Sequence, residues 1–245
     1  MASRFLLVVA LFIIRCPYTG TTSGRNLIKN VAITNFQCIE SEREALLMFK
    51  QGFNNPSGLF LPSWVVEKED CCQWRGVGCN NSTGHVITLD FSGQNRTLTT
   101  QGEFIAPLLD LPYLSYLDLS RNDFLHIQIP ESIGSLIKLE HLNLSQANFR
   151  GIIPDHLGNL SRLQSLDLSG NSYSLKVTNL YWLTSLYSLE VLNLGGVDLS
   201  SAVDWLERIN LLPSLVEFVK KYSIILLLLF IKGRIVFFSF CLVYI

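Results

Sequence analysis

The chain has 245 residues, of which 49% are hydrophobic, and a formal net charge of −1. Near-neutrality removes the bulk electrostatic attraction that draws a protein to nucleic acid or another polyanion. The apolar residues gather at the two ends, so the middle has room and composition for one large soluble domain or two small ones.

Residues 1–24 read as a secretory signal peptide. Met1–Arg4 is a short basic region and Phe5–Ile14 an apolar run too brief to cross a bilayer as a helix. Small and polar residues follow, with the cut between Thr19 and Gly24. Secretion decides how the six cysteines are read. Cys16 falls in the leader and Cys241 in the C-terminal tail, while Cys38, Cys71, Cys72 and Cys79 cluster. In an oxidising compartment such a cluster reads as two disulfides, for which three pairings exist. Bridging the neighbours Cys71 and Cys72 would need a strained ring, so each pairs elsewhere. Zinc is the competing reading, but no close His and no C-x-x-C pair supports it.

Residues 38–80 form a small unit of their own. Ser41 to Glu44 has capping-box spacing, and Ala45, Leu46, Met48 and Phe49 fall on one helical face. Trp64 and Trp74 read as core. A piece this small needs its disulfides to hold together.

From 85 to 218 one period recurs. LPYLSYLDLSRN (111–122), LIKLEHLNLSQA (136–147), LSRLQSLDLSGN (160–171) and LYSLEVLNLGGV (186–197) align, after a partial frame HVITLDFSGQ (85–94). Leu117, Leu142, Leu166 and Leu192 lie 25, 24 and 26 residues apart. Alternation within each frame predicts a strand with leucines inside, and stacked coils then share one parallel sheet and one core. Asn122 and Asn171 end their frames and turn inward to satisfy backbone groups; Ala147 and Val197 predict looser turns. IQIPESIGSL (127–136) and GIIPDHLGNL (151–160) predict a short helical or 3-10 turn started by proline and ended by glycine. The stretch 171–186 lacks that proline and predicts a longer helical segment containing Trp182. The array ends at Phe218, because Lys220 takes the next inward position and an unpaired buried charge costs several kcal/mol, on the order of 3 or more. Without a far cap, Leu189, Leu192 and Leu194 need residues 200–218 to cover them.

The tail, 219–245, reads as outside the fold. Ser223–Ile245 holds 16 Ile, Leu, Val and Phe residues, worth roughly −5 to −10 kcal/mol on insertion into a bilayer, and Lys232 and Arg234 return roughly 5 to 7. Membrane association through 223–245 is therefore marginal, and Lys220 and Lys221 sit on the outer side against the positive-inside tendency.

CIESEREALLMFK (38–50), SW (63–64) and CCQWRGVGC (71–79) resemble the N-terminal cap of plant extracellular leucine-rich-repeat proteins, and the L-x-x-L-x-L-S-x-N-x-x-G-x-I-P frame is similar to their repeats. LGGVDLSSAVDWLERINLLPSL (194–215) resembles receptor-like proteins of the fungal xylanase receptor group. The resemblance runs from about residue 38 to Phe218. It implies the pairs Cys38–Cys71 and Cys72–Cys79, and an α/β solenoid with a parallel sheet on its concave face, short helical or 3-10 turns on its convex face and a disulfide-stapled helical cap. It also implies further repeats, an acidic juxtamembrane stretch, a membrane helix and a cytoplasmic tail, none recognisable here.

No catalytic arrangement, metal site or cofactor motif emerges. The four histidines, His85, His126, His141 and His156, are scattered. Two outward columns, Asp90, Asp118, Asn143, Asp167, Asn193 and Ser92, Ser120, Ser145, Ser169, Gly195, read as solvated scaffold. The variable outward positions Thr88, Tyr116, His141, Ser165 and Val191, with Arg121 and Gln146, form the candidate binding face for a peptide or protein. N-glycosylation motifs begin at Asn80, Asn81, Asn95, Asn143 and Asn159. Asn80 and Asn81 overlap, so one of them is used at most; Asn143 would place a sugar on the strand face, and the turns at Asn95 and Asn159 suit one better. These features fit a non-catalytic recognition module of a receptor-like protein, at the outer face of the plasma membrane or in the apoplast, binding a ligand or co-receptor in defence or development. The alternatives are a secreted inhibitor of a foreign enzyme, which wants a C-terminal cysteine pair, and a truncated product without autonomous function.

Overall fold

An L-x-L triplet in extended backbone sends both leucines to one side, and one coil alone cannot bury them. The computed structural model resolves this by stacking. It describes residues 37–54, 63–64, 70–93, 99–100, 104–172, 174–220, 229–231 and 234–236; the leader, Asn95 and most of the tail lie outside the described residues. Strands Val86–Asp90, Tyr116–Asp118, His141–Asn143, Ser165–Asp167, Val191–Asn193 and Glu217–Val219 run parallel in a seven-stranded sheet. The register is constant: Leu89, Leu117, Leu142, Leu166, Leu192 and Phe218 line up across it and are all buried. The seventh strand, Val77–Cys79, belongs to the cap and pairs antiparallel with Val86–Asp90. Beyond the first sheet, Gly151–Ile152 pairs parallel with Leu175–Lys176, and Lys176 bridges to Asp198.

The convex side is built from five-residue 3-10 turns at Ala106–Asp110, Glu131–Ser135, Asp155–Asn159 and Tyr181–Ser185. Pro130 and Pro154 start two of them with φ of −63° and −71°, as proline dictates. The expected long helix at 171–186 is absent. The same short turn forms there, because Leu180, Trp182 and Leu183 bury just as their counterparts do and the coil absorbs its extra residues before the turn. An α-helix, Trp205–Asn210, appears one coil later. Glycine has a different role from the one its position suggests. Gly134 lies inside its turn, where a Cβ would stand 2.2 Å from the His156 carbonyl oxygen of the next coil; at Gly158 the Trp182 oxygen is 2.9 Å away. The residue is glycine because two convex turns touch there.

Asn171 serves two coils. Its Nδ2 donates to the carbonyls of Leu144 and Leu168, and its Oδ1 accepts from the backbone N–H groups of Ala147 and Phe149. The turn at Ala147, expected to be loose for want of its own Asn, is thus held by the next coil's. Phe124 and Phe149 stack at 4.6 Å between adjacent coils and extend a ring cluster that reaches Phe104, Phe53 and Phe49.

The cap helix spans Glu40–Gln51. Ser41 is not its cap: the helix starts a residue earlier, behind Ile39, and no side chain closes that end. Met48 is 48% exposed, so the buried face is Glu42, Ala45, Leu46 and Phe49. Glu42 is the unexpected member. Its carboxylate accepts from the buried Val86 N–H at 2.6 Å and meets His85 Nδ1 at 2.5 Å, tying the helix to the first strand of the array. Trp64 and Trp74 are buried and stacked at 5.2 Å. Disulfides join Cys38 to Cys71 and Cys72 to Cys79.

At the far end, residues 200–218 bury Leu189, Leu192 and Leu194 completely. The strand passes Phe218 to Val219, and Lys220 is itself 6% exposed, which corrects the end assigned from sequence. Its Nζ lies 3.8 Å from the centre of the Trp205 ring, so an aromatic face meets the charge. Leu229–Ile231 and Arg234–Val236 pair antiparallel. Among the described residues no helix is long and apolar enough to cross a membrane.

Candidate recognition face

Strand register places Thr88, Tyr116, His141, Ser165 and Val191 side by side in one half-exposed row on the concave sheet. Tyr116 and His141 sit together, ring centres 5.8 Å apart. Burial first, then the charges of Asp118 and Asp90, push the Tyr116 hydroxyl above the ordinary tyrosine range.

The next row is held by its own backbone. Asp118, Asn143, Asp167 and Asn193 each accept, through Oδ1, the N–H two residues on. Asn143 Nδ2 donates to Asp118 Oδ2 at 3.0 Å, and Asn193 Nδ2 does the same to Asp167. These side chains floor a polar trough of about 390 Å³.

Arg121 and Gln146 also line that trough. Each follows its strand by the same number of residues as Gly93, Gly170 and Gly196, and all five take positive φ. For Arg121 and Gln146 the angles are 57° and 53°, a left-handed conformation costing an L-residue about 1 kcal/mol. Leu125, His126, Asn148 and Ser172 also take it, but in turns further along their coils. The Gln146 side chain runs over Gly170, where a Cβ would meet its Cγ at 2.8 Å. Two adjacent coils therefore carry Tyr116, Arg121, His141 and Gln146 together; Ser165 and Val191 fall in the same row but offer only small side chains.

Residues 39–80 match the leucine rich repeat N-terminal domain, and residues 112–173 the leucine rich repeat. Receptor-like protein EIX1 of Solanum lycopersicum is 41% identical over 191 residues, 74% of this chain and 18% of the relative. Receptor-like protein EIX2 of the same plant is 46% identical over 124 residues, 48% of this chain and 12% of the relative. From its cap through its repeats the chain is similar to the N-terminal part of plant leucine-rich-repeat receptor-like proteins. It spans less than a fifth of the length of these curated relatives. The fold matches the ectodomain of the Arabidopsis thaliana receptor kinase GASSHO1/SCHENGEN3 with a TM-score of 0.58 and 23% identity, over 76% of this chain and 22% of that one. A chain of the Arabidopsis BIR3–SERK2 complex matches at 0.52 with 28% identity, over 63% and 80%.

In this leucine-rich-repeat protein the remaining candidates separate. The sulfurs of Cys38, Cys71 and Cys72 lie within 4.8 Å of one another, but all are tied in disulfides and offer no thiolate to a metal. His85 is engaged by Glu42 and by the Tyr113 ring at 4.3 Å, His126 faces Asn148, and His156 lies 3.8 Å from Glu131. Asn80, Asn81 and Asn159 are exposed, while Asn143 is half-buried in its strand.

Proposed function

We propose that this chain acts as a non-catalytic extracellular recognition module of a receptor-like protein, binding a protein or peptide ligand, or a co-receptor, on its concave face. The domain layout proposed is a leader at 1–24, a cap at 38–80 and repeats from 85 to the strand Glu217–Val219. The setting is the secretory pathway and then the plasma membrane's outer face or the apoplast, in defence or developmental signalling. One observation carries the reading. Coils that elsewhere place glycine in a left-handed turn place Arg121 and Gln146 there, on the same two coils that carry Tyr116 and His141. A local conformational cost borne at the rim of a trough is the mark of a surface that has another use. The 28%-identical chain solved as part of the BIR3–SERK2 complex adds support for a protein partner.

The test is a selection of random displayed peptides on the secreted chain, followed by transfer of the winners to a variant carrying Arg121→Gly and Gln146→Gly. Relief of the left-handed strain and the added freedom of glycine in the unfolded chain are each about 1 kcal/mol, so the variant folds as well as its parent. Peptides that use the face lose tenfold or more in affinity, about 1.4 kcal/mol. Winners indifferent to this variant and to Tyr116→Ala and His141→Ala bind elsewhere, and the proposal then fails.

A further inference from the structure

The flank where the chain enters the concave sheet carries exposed apolar side chains. Tyr113 is 52% exposed, Ile137 56% and Tyr187 65%. Leu136, Leu160 and Leu186 close successive 3-10 turns, so Ile137, Ser161 and Tyr187, each following its leucine, form one row across three coils. The turns behind them are in contact at Gly134 and Gly158, which fixes the row's alignment. Asn159 precedes Leu160 in the middle coil, and Asn159-Leu160-Ser161 is a glycosylation motif. Its geometry displays both ends: Asn159 and Ser161 are exposed, Leu160 is buried, and Ser161 N–H donates to the Asn159 carbonyl at 2.9 Å.

The motif at Asn143 is presented in the opposite way. Its Nδ2 donates to Asp118 and its Oδ1 accepts from Ser145 N–H. The motif's Ser145 is 6% exposed. A sugar there would crowd the bond to Asp118 and stand beside the row that holds His141.

The geometry points to an N-linked glycan on Asn159 and none on Asn143, the sugar covering the Ile137–Tyr187 flank and leaving the concave face bare. Glycosylation adds bulk and solubility to a surface, which is what an apolar row facing water needs. The donor is a lipid-diphosphate oligosaccharide of the secretory pathway. Asn159 Nδ2 bonds to the sugar's anomeric carbon and gives up one proton, and the lipid diphosphate leaves with the electron pair of the broken bond. The Asn80–Asn81 loop lies on the same flank, held to it by the contact of His85 with Tyr113, so a glycan there would extend the cover without reaching the trough.

This inference rests on passage through the secretory pathway, and the test separates the two. The full chain is expressed in plant cells, the glycans are released enzymatically in ¹⁸O-water, and labelled asparagine positions are read by mass spectrometry. Label at Asn159 with none at Asn143 is the expected result, and Ser161→Ala then removes one glycan's worth of electrophoretic retardation while Asn143→Gln changes nothing. Label at other motifs with Asn159 bare, or label at Asn143, overturns the assignment and leaves the secretory reading standing. A chain with no label at any motif overturns both.

Discussion

The Lys220 ammonium rests on the Trp205 ring with most of its water removed, and burial draws its pKa from 10.5 down to about 8 while Asp198 pulls the other way. Between those two values the unfolded chain holds more proton on this residue than the folded chain does. Stability therefore rises with pH across that window, and the full penalty is present below it. Lys220→Met is expected to unfold at higher urea than the parent at pH 7, with the gap narrowing towards pH 10. A gap constant over that range would mean that the residue titrates as an ordinary lysine. Glu42 shows the same physics with the opposite sign of design: a buried carboxylate is tolerated because Val86 N–H and His85 meet both its oxygens.

At the scale of elements, the convex turns are set by the spacing between coils as much as by their own sequence. Prolines start them, but Gly134 and Gly158 decide how close the next turn can come. Gly134→Ala pushes a methyl group into the His156 carbonyl, where backbone cannot yield cheaply, and should cost about 3 kcal/mol or more; Gly158→Ala, with its wider gap, should cost about 1–2. Chemical unfolding of both variants checks the order. Equal losses, or a gain in stability as helix propensity alone would give, would mean that contact between turns does not select glycine there. Neither residue has a positive φ, so conformational freedom does not explain them.

Across the whole molecule the solenoid holds one continuous leucine core whose near end is closed by a stapled cap. The Cys38–Cys71 bridge spans 33 residues and Cys72–Cys79 only 7. Loop-closure entropy makes the longer bridge worth about 1.4 kcal/mol more. Replacing Cys38 and Cys71 by serine should therefore lower the unfolding midpoint more than replacing Cys72 and Cys79. The reverse order would show that the short bridge, by anchoring the strand Val77–Cys79 to the array, matters beyond its entropy. At the other end Phe218 and the helix Trp205–Asn210 take over the burial of the last leucines.

The period alone determined the parallel sheet, the leucine register and the inward Asn171, because alternation and coil length leave a chain of this kind few ways to bury its apolar side. The outward row Thr88, Tyr116, His141, Ser165 and Val191 was legible for the same reason: what is not inside a two-residue repeat must be outside. Left-handed Arg121 and Gln146 left a faint trace, since their frames align with glycines at 93, 170 and 196. Other features depend on groups far apart in the chain and only the tertiary structure decided them. Nothing in the local pattern marks Glu42, to which the fold brings His85 and Val86 from 43 and 44 residues away. Lys220 looked like the end of the array until Trp205 folded over it. Local pattern sets which way a side chain points; whether its charge or hydrogen-bonding atoms can be tolerated there depends on what the rest of the chain brings within a few ångströms.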